Sequence, residues 1–335
     1  MQPPQVSVRP LRPAAALTTA CLAGTVVAWL CSTTWADELT EAVAGMPWAP
    51  TLALLGLLVL AAVHYLCAAW AVWAVSDREL SLLVTTAVQL AAAASNRVIP
   101  NGIGGAGVNM RYLRRAGVST GAAASAMTAL AIVGAATDGG YATAVTVLGP
   151  AAGLTGATAE LHVLAARGIQ GGPHADVAIG AAALIVVGVY LLHPRRRGRF
   201  WARLAATLVM AFHHARGLVR HPARLGSACL ASVLTTVALS VGFVISVHVW
   251  AWSPTPLSAG GLIAIYLVAT AAGGATPLPP VFGITEGALL AALILSGYSG
   301  PSAFLAVAVF RGLTYWLPLP LGIVSARYLH RAQLL

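Results

Sequence analysis

Lysine is absent from this sequence, acidic side chains number nine, and charged residues of every kind make up 8% of it. Soluble domains carry about 25% charged residues, so a water-soluble fold is excluded. With 59% hydrophobic residues and a mean hydropathy of +0.83, the chain reads as a polytopic membrane protein. The signatures of several enzyme classes are missing too. There is no HExxH, no GxSxG, no Walker lysine and no Asp-x-Asp pair, which removes the usual marks of zinc proteases, serine hydrolases, ATP-driven pumps and metal-dependent sugar transfer. Cys21, Cys31, Cys67 and Cys229 lie in or at the ends of apolar runs, without CxxC or zinc spacing, and read as small packing residues. No cofactor is expected.

All 19 basic residues are arginine, and the formal charge is +10. That balance suggests nucleic acid until the arginines are located. Most stand in short segments between apolar runs, as cytoplasmic loops do under the positive-inside rule. No nucleic-acid motif accompanies them. Nucleic acid is therefore not expected as a partner, and anionic lipid headgroups are.

Taken in order, residues 1–12 form a cytoplasmic tail, 13–326 a transmembrane domain and 327–335 a second cytoplasmic tail. Ala14 to Cys31 is a first, uncleaved span, followed by the acidic Asp37, Glu38 and Glu41 outside. Pro50 to Ala74 returns to the cytoplasm. Leu80 to Ser95 then enters and is broken at Pro100. If it crossed fully, Arg111, Arg114 and Arg115 would face outside, so a re-entrant hairpin is the preferred reading, although sixteen residues reach about 24 Å and a full span is the alternative. Val118 to Leu148 crosses outward, Pro150 to Ala175 forms an external loop, and Val177 to Leu192 recrosses to the Arg195–Arg203 cluster. Trp201 to Arg220, with His213 and His214, suits an interfacial amphipathic helix. Leu225 to Trp250 spans outward. Leu262 to Thr270 and Ile284 to Leu295 form a second hairpin from the opposite face, and Ala303 to Val324 crosses inward with a kink at Pro318 and Pro320. The fold expected is all-α, with about six full spans and two opposed re-entrant hairpins. The hairpins align at an offset of 180, pairing Pro100 with Pro280, Gly117 with Gly297, and Ser119 with Ser299, as an inverted repeat would.

Four ionisable side chains fall at membrane depth: Arg97, Asp138, Glu286 and Arg311. An isolated charge there costs about 2.5–3.5 kcal/mol or more and usually marks function. One reading makes them internal ion pairs that hold helices together. The other makes them a binding site, because each adjoins a break that frees backbone groups. Helices restarting after Pro100 and Pro280 point their amides and dipoles at an anion. Gly102, Gly104, Gly105 and Gly283 would let a headgroup approach the backbone, Asn101 at the same break is counted with the binding residues, and Arg97 and Arg311 can grip phosphate bidentately.

The segments NRVIPNGIGGAGVNMRYLRRAGVS and PLPPVFGITEGALLAALILSGYSGPSAFLAVAVFRGLTYWLPLPLG resemble the lysylphosphatidylglycerol synthase transmembrane family. The resemblance covers nearly the whole chain and is most specific at the Pro/Gly break, Glu286 and Arg311. It implies a flippase-like membrane domain, which in bifunctional members moves outward a lipid made by a cytosolic aminoacyl-transferase domain. The sequence read to Leu335 leaves no such domain, so lipid synthesis is not expected to carry over. Where family members usually show a PGGLG-type stretch before the glutamate, this chain has PPVFGITE.

The function expected is a lipid flippase of the cytoplasmic membrane, both termini cytoplasmic, moving a phospholipid or polyprenyl-phosphate lipid. Its partners would be membrane lipids and a separate lipid-synthesising enzyme, with homo-oligomers left open. A membrane-embedded lipid-linked glycosyl or aminoacyl transferase and a non-transporting scaffold subunit are the rivals. The topology is testable by thiol labelling. Cysteines placed beside Arg114, Arg197 and Arg331 are expected to resist an impermeant reagent in intact cells, and one beside Glu160 to react. External labelling beside Arg114 would remove the cytoplasmic hairpin.

Overall fold

The computed structural model describes residues 48–76, 78–99, 103–144, 222–275 and 283–335. Among these the chain is all helix, without a strand. The elements are α1 (Ala49–Val75), α2 (Leu82–Val98), α3 (Ile103–Arg115), α4 (Thr120–Thr143), α5 (Pro222–Trp250), α6 (Ala259–Ala275), α7 (Ile284–Leu295), α8 (Gly300–Arg311), a π-helical turn (Gly312–Trp316) and α9 (Pro318–Arg331). Four stretches are long and apolar enough to cross a bilayer: Ala49–Val75, Thr120–Thr143, Pro222–Trp250 and Gly300–Arg331. They correspond to four of the six expected spans. The other two, Ala14–Cys31 and Val177–Leu192, lie outside the described residues, as do the external loop and the histidine pair. Large apolar side chains such as Val59, Val268, Phe304 and Val324 are exposed on the bundle's outside. Lipid tails solvate such a surface, where water would not. The chain is a multi-pass membrane protein.

The frame is the antiparallel pair α1 and α5. Leu57 packs on Gly242, His64 Nδ1 donates to the Thr235 carbonyl at 3.1 Å, and Val75 shares a cluster with Ala228. Trp48, Trp250 and Trp252 thus mark one end of the bundle. Arg78 and the arginines of α3 and α9 mark the other, where Leu329 of α9 joins Val88 and Tyr112. Tryptophan suits the headgroup layer, and the two ends are called the tryptophan end and the basic end below.

Leu80–Ser95 does not cross the bundle. α2 rises from the basic end and α3 folds back along it. The antiparallel register is fixed by Gln89 Nε2 donating to Asn109 Oδ1 at 2.7 Å, by a Thr85–Tyr112 hydroxyl contact at 3.2 Å, and by Gly104 and Gly105 against Ser95 and Asn96. Ser81 caps α2 and Ser119 caps α4 through their hydroxyls. α6 and α7 form the second hairpin from the tryptophan end, where Leu257 N donates to the Tyr298 hydroxyl and Ser299 N to the Trp252 carbonyl. α6 is longer than the Leu262–Thr270 core expected, running from Ala259 to Ala275.

The two hairpins end alike. After α3, Gly117 N bonds the Arg114 carbonyl and Val118 N that of Leu113. After α7, Gly297 N bonds Ile294 and Tyr298 N bonds Leu293. Both glycines are left-handed, with φ of 85° and 92°, the helix ending that glycine favours. Leu113 and Leu293, and Ala123 and Ala303, are all fully buried. Hairpin, glycine turn and helix thus recur in the same order, entered from opposite ends, at the 180-residue offset read from the sequence.

The last span differs from expectation in one respect. The kink expected at Pro318 and Pro320 is instead a π turn just before them, with Leu317 N donating to the Gly312 carbonyl at 2.8 Å. A proline ring collides with the carbonyl four residues back. Widening the preceding turn relieves that collision, and Pro318 then opens α9 at a first-turn position where no amide is needed.

The α2–α9 crossing leaves little room. A Cβ at Gly322 would overlap the Leu90 carbonyl and the Ala94 methyl, whereas one at Gly56 meets nothing. Gly322→Leu is expected to cost about 1–3 kcal/mol through overpacking and to lower the unfolding temperature in detergent. Gly56→Leu should leave it unchanged. Equal stability of the two variants would contradict this packing.

Candidate functional site

Arg97, near the end of α2, and Arg311 of α8 meet at the Tyr315 ring, and Glu286, in the first turn of α7, pairs with Arg311. Arg97 stands in the last turn of α2, where the helix dipole favours a cation. It is 4% exposed, and its Nη2 donates to the backbone carbonyl of Tyr315. Its Cζ lies 4.2 Å from the centre of the Tyr315 ring, and Arg311 Cζ lies 4.0 Å from the same ring. Such contacts contribute about 2 kcal/mol or more when desolvated. Tyr315, which supplies the acceptor, lies in the π turn Gly312–Trp316. Arg311 Nε also donates to Glu286 Oε1 at 2.7 Å, with the side chains 13% and 23% exposed respectively. Glu286 sits in the first turn of α7, again on the favoured side of a dipole.

Two guanidiniums and one carboxylate leave an excess positive charge. Three polar atoms in the cluster are buried without a hydrogen-bond partner among the described residues: Arg97 Nε, Glu286 Oε2 and the Tyr315 hydroxyl. Orphaned buried groups of this kind are rare and costly. Here they are a donor, an acceptor and a hydroxyl gathered about one ring. Towards the tryptophan end the layer is closed by aromatic rings, with Phe243 against Phe310 at 5.5 Å and Tyr266 against Phe310 at 6.0 Å. His64 and Tyr65 of α1 lie within electrostatic reach of Arg97.

Of the residues expected at the site, Arg97, Glu286 and Arg311 come together. Asp138 does not join them; it is exposed on α4 and accepts from Thr236 Oγ1 of α5 at 2.5 Å. No ion pair to Arg97 occurs among the described residues. Gly104 and Gly105 face the other arm of their hairpin. A Cβ would come within 2.6 Å of the Ser95 carbonyl at Gly104 and of Asn96 Nδ2 at Gly105, and the Gly105 amide is taken by Asn96 Oδ1. Close packing accounts for both. Gly283 has φ 72°, with open space where a Cβ would be, so its backbone conformation is what needs glycine. Asn101, Gly102 and Pro280 lie outside the described residues. Tyr315 was missed in the sequence although it follows Arg311 by four residues, a spacing that puts two side chains on one helix face.

Hairpins from opposite ends and a charged layer between them define an α-helical multi-pass membrane protein. The chain belongs to the family described as the lysylphosphatidylglycerol synthase TM region, whose model matches residues 15–322. Membership ties it to lipid handling. No individual curated protein matches the chain.

Thermal unfolding in detergent tests the ion pair. Glu286→Gln strands Arg311, at a cost of about 3 kcal/mol, the lower end of the range for a broken buried pair because both groups are partly exposed. Glu286→Gln combined with Arg311→Gln is expected to recover most of it. Tyr315→Phe keeps ring and carbonyl and should unfold normally, whereas Tyr315→Leu should not. Normal stability of Tyr315→Leu would mean that the ring does not support the two guanidiniums.

Proposed function

We propose that this protein is a lipid transporter that carries a phosphate-containing lipid between the leaflets of the cytoplasmic membrane, with the layer around Tyr315 holding the headgroup in transit. The observation that carries the reading is the set of three unpartnered buried atoms in a layer with excess positive charge. A phosphodiester monoanion would balance that charge and accept from Arg97 Nε. Glu286 Oε2 would accept from a hydroxyl or amine on the same headgroup. No chemical step is invoked. The protein binds and releases the lipid, and a separate enzyme makes it.

The inverted hairpins support the reading through symmetry. Two units of one architecture, inserted from opposite ends, give a shared central layer two equivalent routes of access. The direction of transport then depends on which leaflet supplies the lipid.

Reconstitution of the purified chain into vesicles with fluorescent phosphatidylglycerol tests this directly. The wild type is expected to equilibrate the label between leaflets without nucleotide or partner. Arg311→Lys keeps the charge but loses the planar fork, and is expected to slow equilibration by about tenfold or more while unfolding near the wild-type temperature. Equilibration no faster than in protein-free vesicles would refute transport, and normal rates in Arg311→Lys would remove the guanidinium from the site.

A further inference from the structure

One surface feature at the basic end is not used by the contacts above. A groove of about 410 Å³ lies between the outer face of α3 and α9, bordered by Ser95, Gly104, Gly107, Arg111, Ala326 and His330. Its floor is glycine, and a Cβ at Gly107 would meet nothing within 4 Å. Along α3 the exposed residues Ile103, Gly107 and Arg111 follow one another at four-residue spacing on a single face, and along α9 Ile323 and His330 are exposed seven residues apart. Along each helix the exposed residues therefore grade from an isoleucine, nearer the middle of the bundle, to a basic side chain, Arg111 or His330, at the groove. The apolar and cationic ends are separated by about 12 Å, eight residues of helix rise. The rim is basic well beyond the groove, because Arg114, Arg115, Arg327 and Arg331 are exposed around it. The deep end stops at Ser95, two residues before Arg97 in α2. Towards the opposite end the layer around Tyr315 is closed by the Phe243–Tyr266–Phe310 rings.

We infer that this groove is the loading site for an anionic glycerophospholipid drawn from the leaflet at the basic end. Its phosphate sits between Arg111 and His330 and an acyl chain lies along the Ile103 and Ile323 walls. The polarity gradient selects the occupant. A free phosphate would need the cationic rim but not a 12 Å apolar wall, and a neutral glyceride would use the wall but leave the rim unanswered. Gly107, open on its outer side, admits the lipid glycerol against the helix backbone. The groove opens at the basic end, while the Phe243–Tyr266–Phe310 rings lie on the tryptophan side of the central layer. The inference deepens the transport reading and rests on it for the lipid's destination, though not for binding at the groove.

Binding is read by native mass spectrometry of the full chain from mixed micelles with phosphatidylglycerol, and transport by the vesicle assay. Arg111→Gln combined with His330→Gln is expected to lower retained phosphatidylglycerol about fivefold or more, and to slow transport from vesicles labelled only in the leaflet facing the basic end. Gly107→Leu, which fills open space, should do the same. Retention as in wild type by the doubly substituted protein overturns the groove, even if Gly107→Leu fails to fold. Displacement of the lipid by millimolar inorganic phosphate also overturns it, because the site would then be a free-anion site. Equal retention of diacylglycerol overturns the role of the phosphate. Loss of retention in the groove variants with no transport by wild type upholds the groove and refutes the transport reading. Normal retention in the groove variants with transport lost in Arg311→Lys does the reverse.

Discussion

Arg97 is a guanidinium almost wholly removed from solvent within an apolar bundle, with no ion pair to it among the described residues. In such surroundings the charge has to be met by the face of an aromatic ring and a free carbonyl, and Tyr315 provides both. That requirement reaches far along the chain. The carbonyl lies in the π turn just before Pro318, the ring also holds Arg311, and Arg311 in turn holds Glu286 of the opposite hairpin. Three segments distant in sequence are joined through one tyrosine.

The hairpins that carry these charges depend on small residues. Gly104 and Gly105 let α3 lie against Ser95 and Asn96, and Gly322 lets α9 cross α2 beside Leu90. In lipid there is no hydrophobic drive for helices to associate, so close approach and interhelical hydrogen bonds replace it. The Gln89–Asn109 and Thr85–Tyr112 contacts supply those bonds inside the first hairpin. In the second hairpin Gly273 of α6 lies close against Thr285 of α7, and Leu262, Leu289 and Leu293 are fully buried. The two units thus share an architecture and the use of glycine where their arms meet.

Much of this was readable from residues alone. The arginines after Gly107 decided that Leu80–Ser95 turns back, and hydropathy located the four long spans within a few residues. The repeat showed in a bare offset of 180 because glycine is hard to replace at a left-handed helix ending. Charge at membrane depth identified Arg97, Glu286 and Arg311, since lipid makes such residues conspicuous. Other features were not legible. Asp138 stood out equally, but which face of α4 it occupies depends on how α4 rotates against α5. The glycines of NGIGGAG serve two ends, Gly104 and Gly105 facing a neighbouring helix and Gly107 facing open space, and composition does not separate them. Tyr315 looked like one aromatic among many. Its importance comes from a backbone carbonyl that accepts from Arg97 and a ring that meets both guanidiniums, contacts that side-chain patterns do not register.

The π turn at Gly312–Trp316 has an evolutionary consequence. Such a turn holds one residue more than the α-helical turn it replaces. Losing that residue would close the turn to α-helical geometry without rotating the helix beyond it, and would bring the Pro318 ring back against the carbonyl four residues before it. The collision would arise without any change in the identity of a remaining residue. Among descendants of a common ancestor, segment length between Arg311 and Pro318 is therefore a heritable character separate from its composition. A single-codon deletion there is geometrically a larger event than most substitutions.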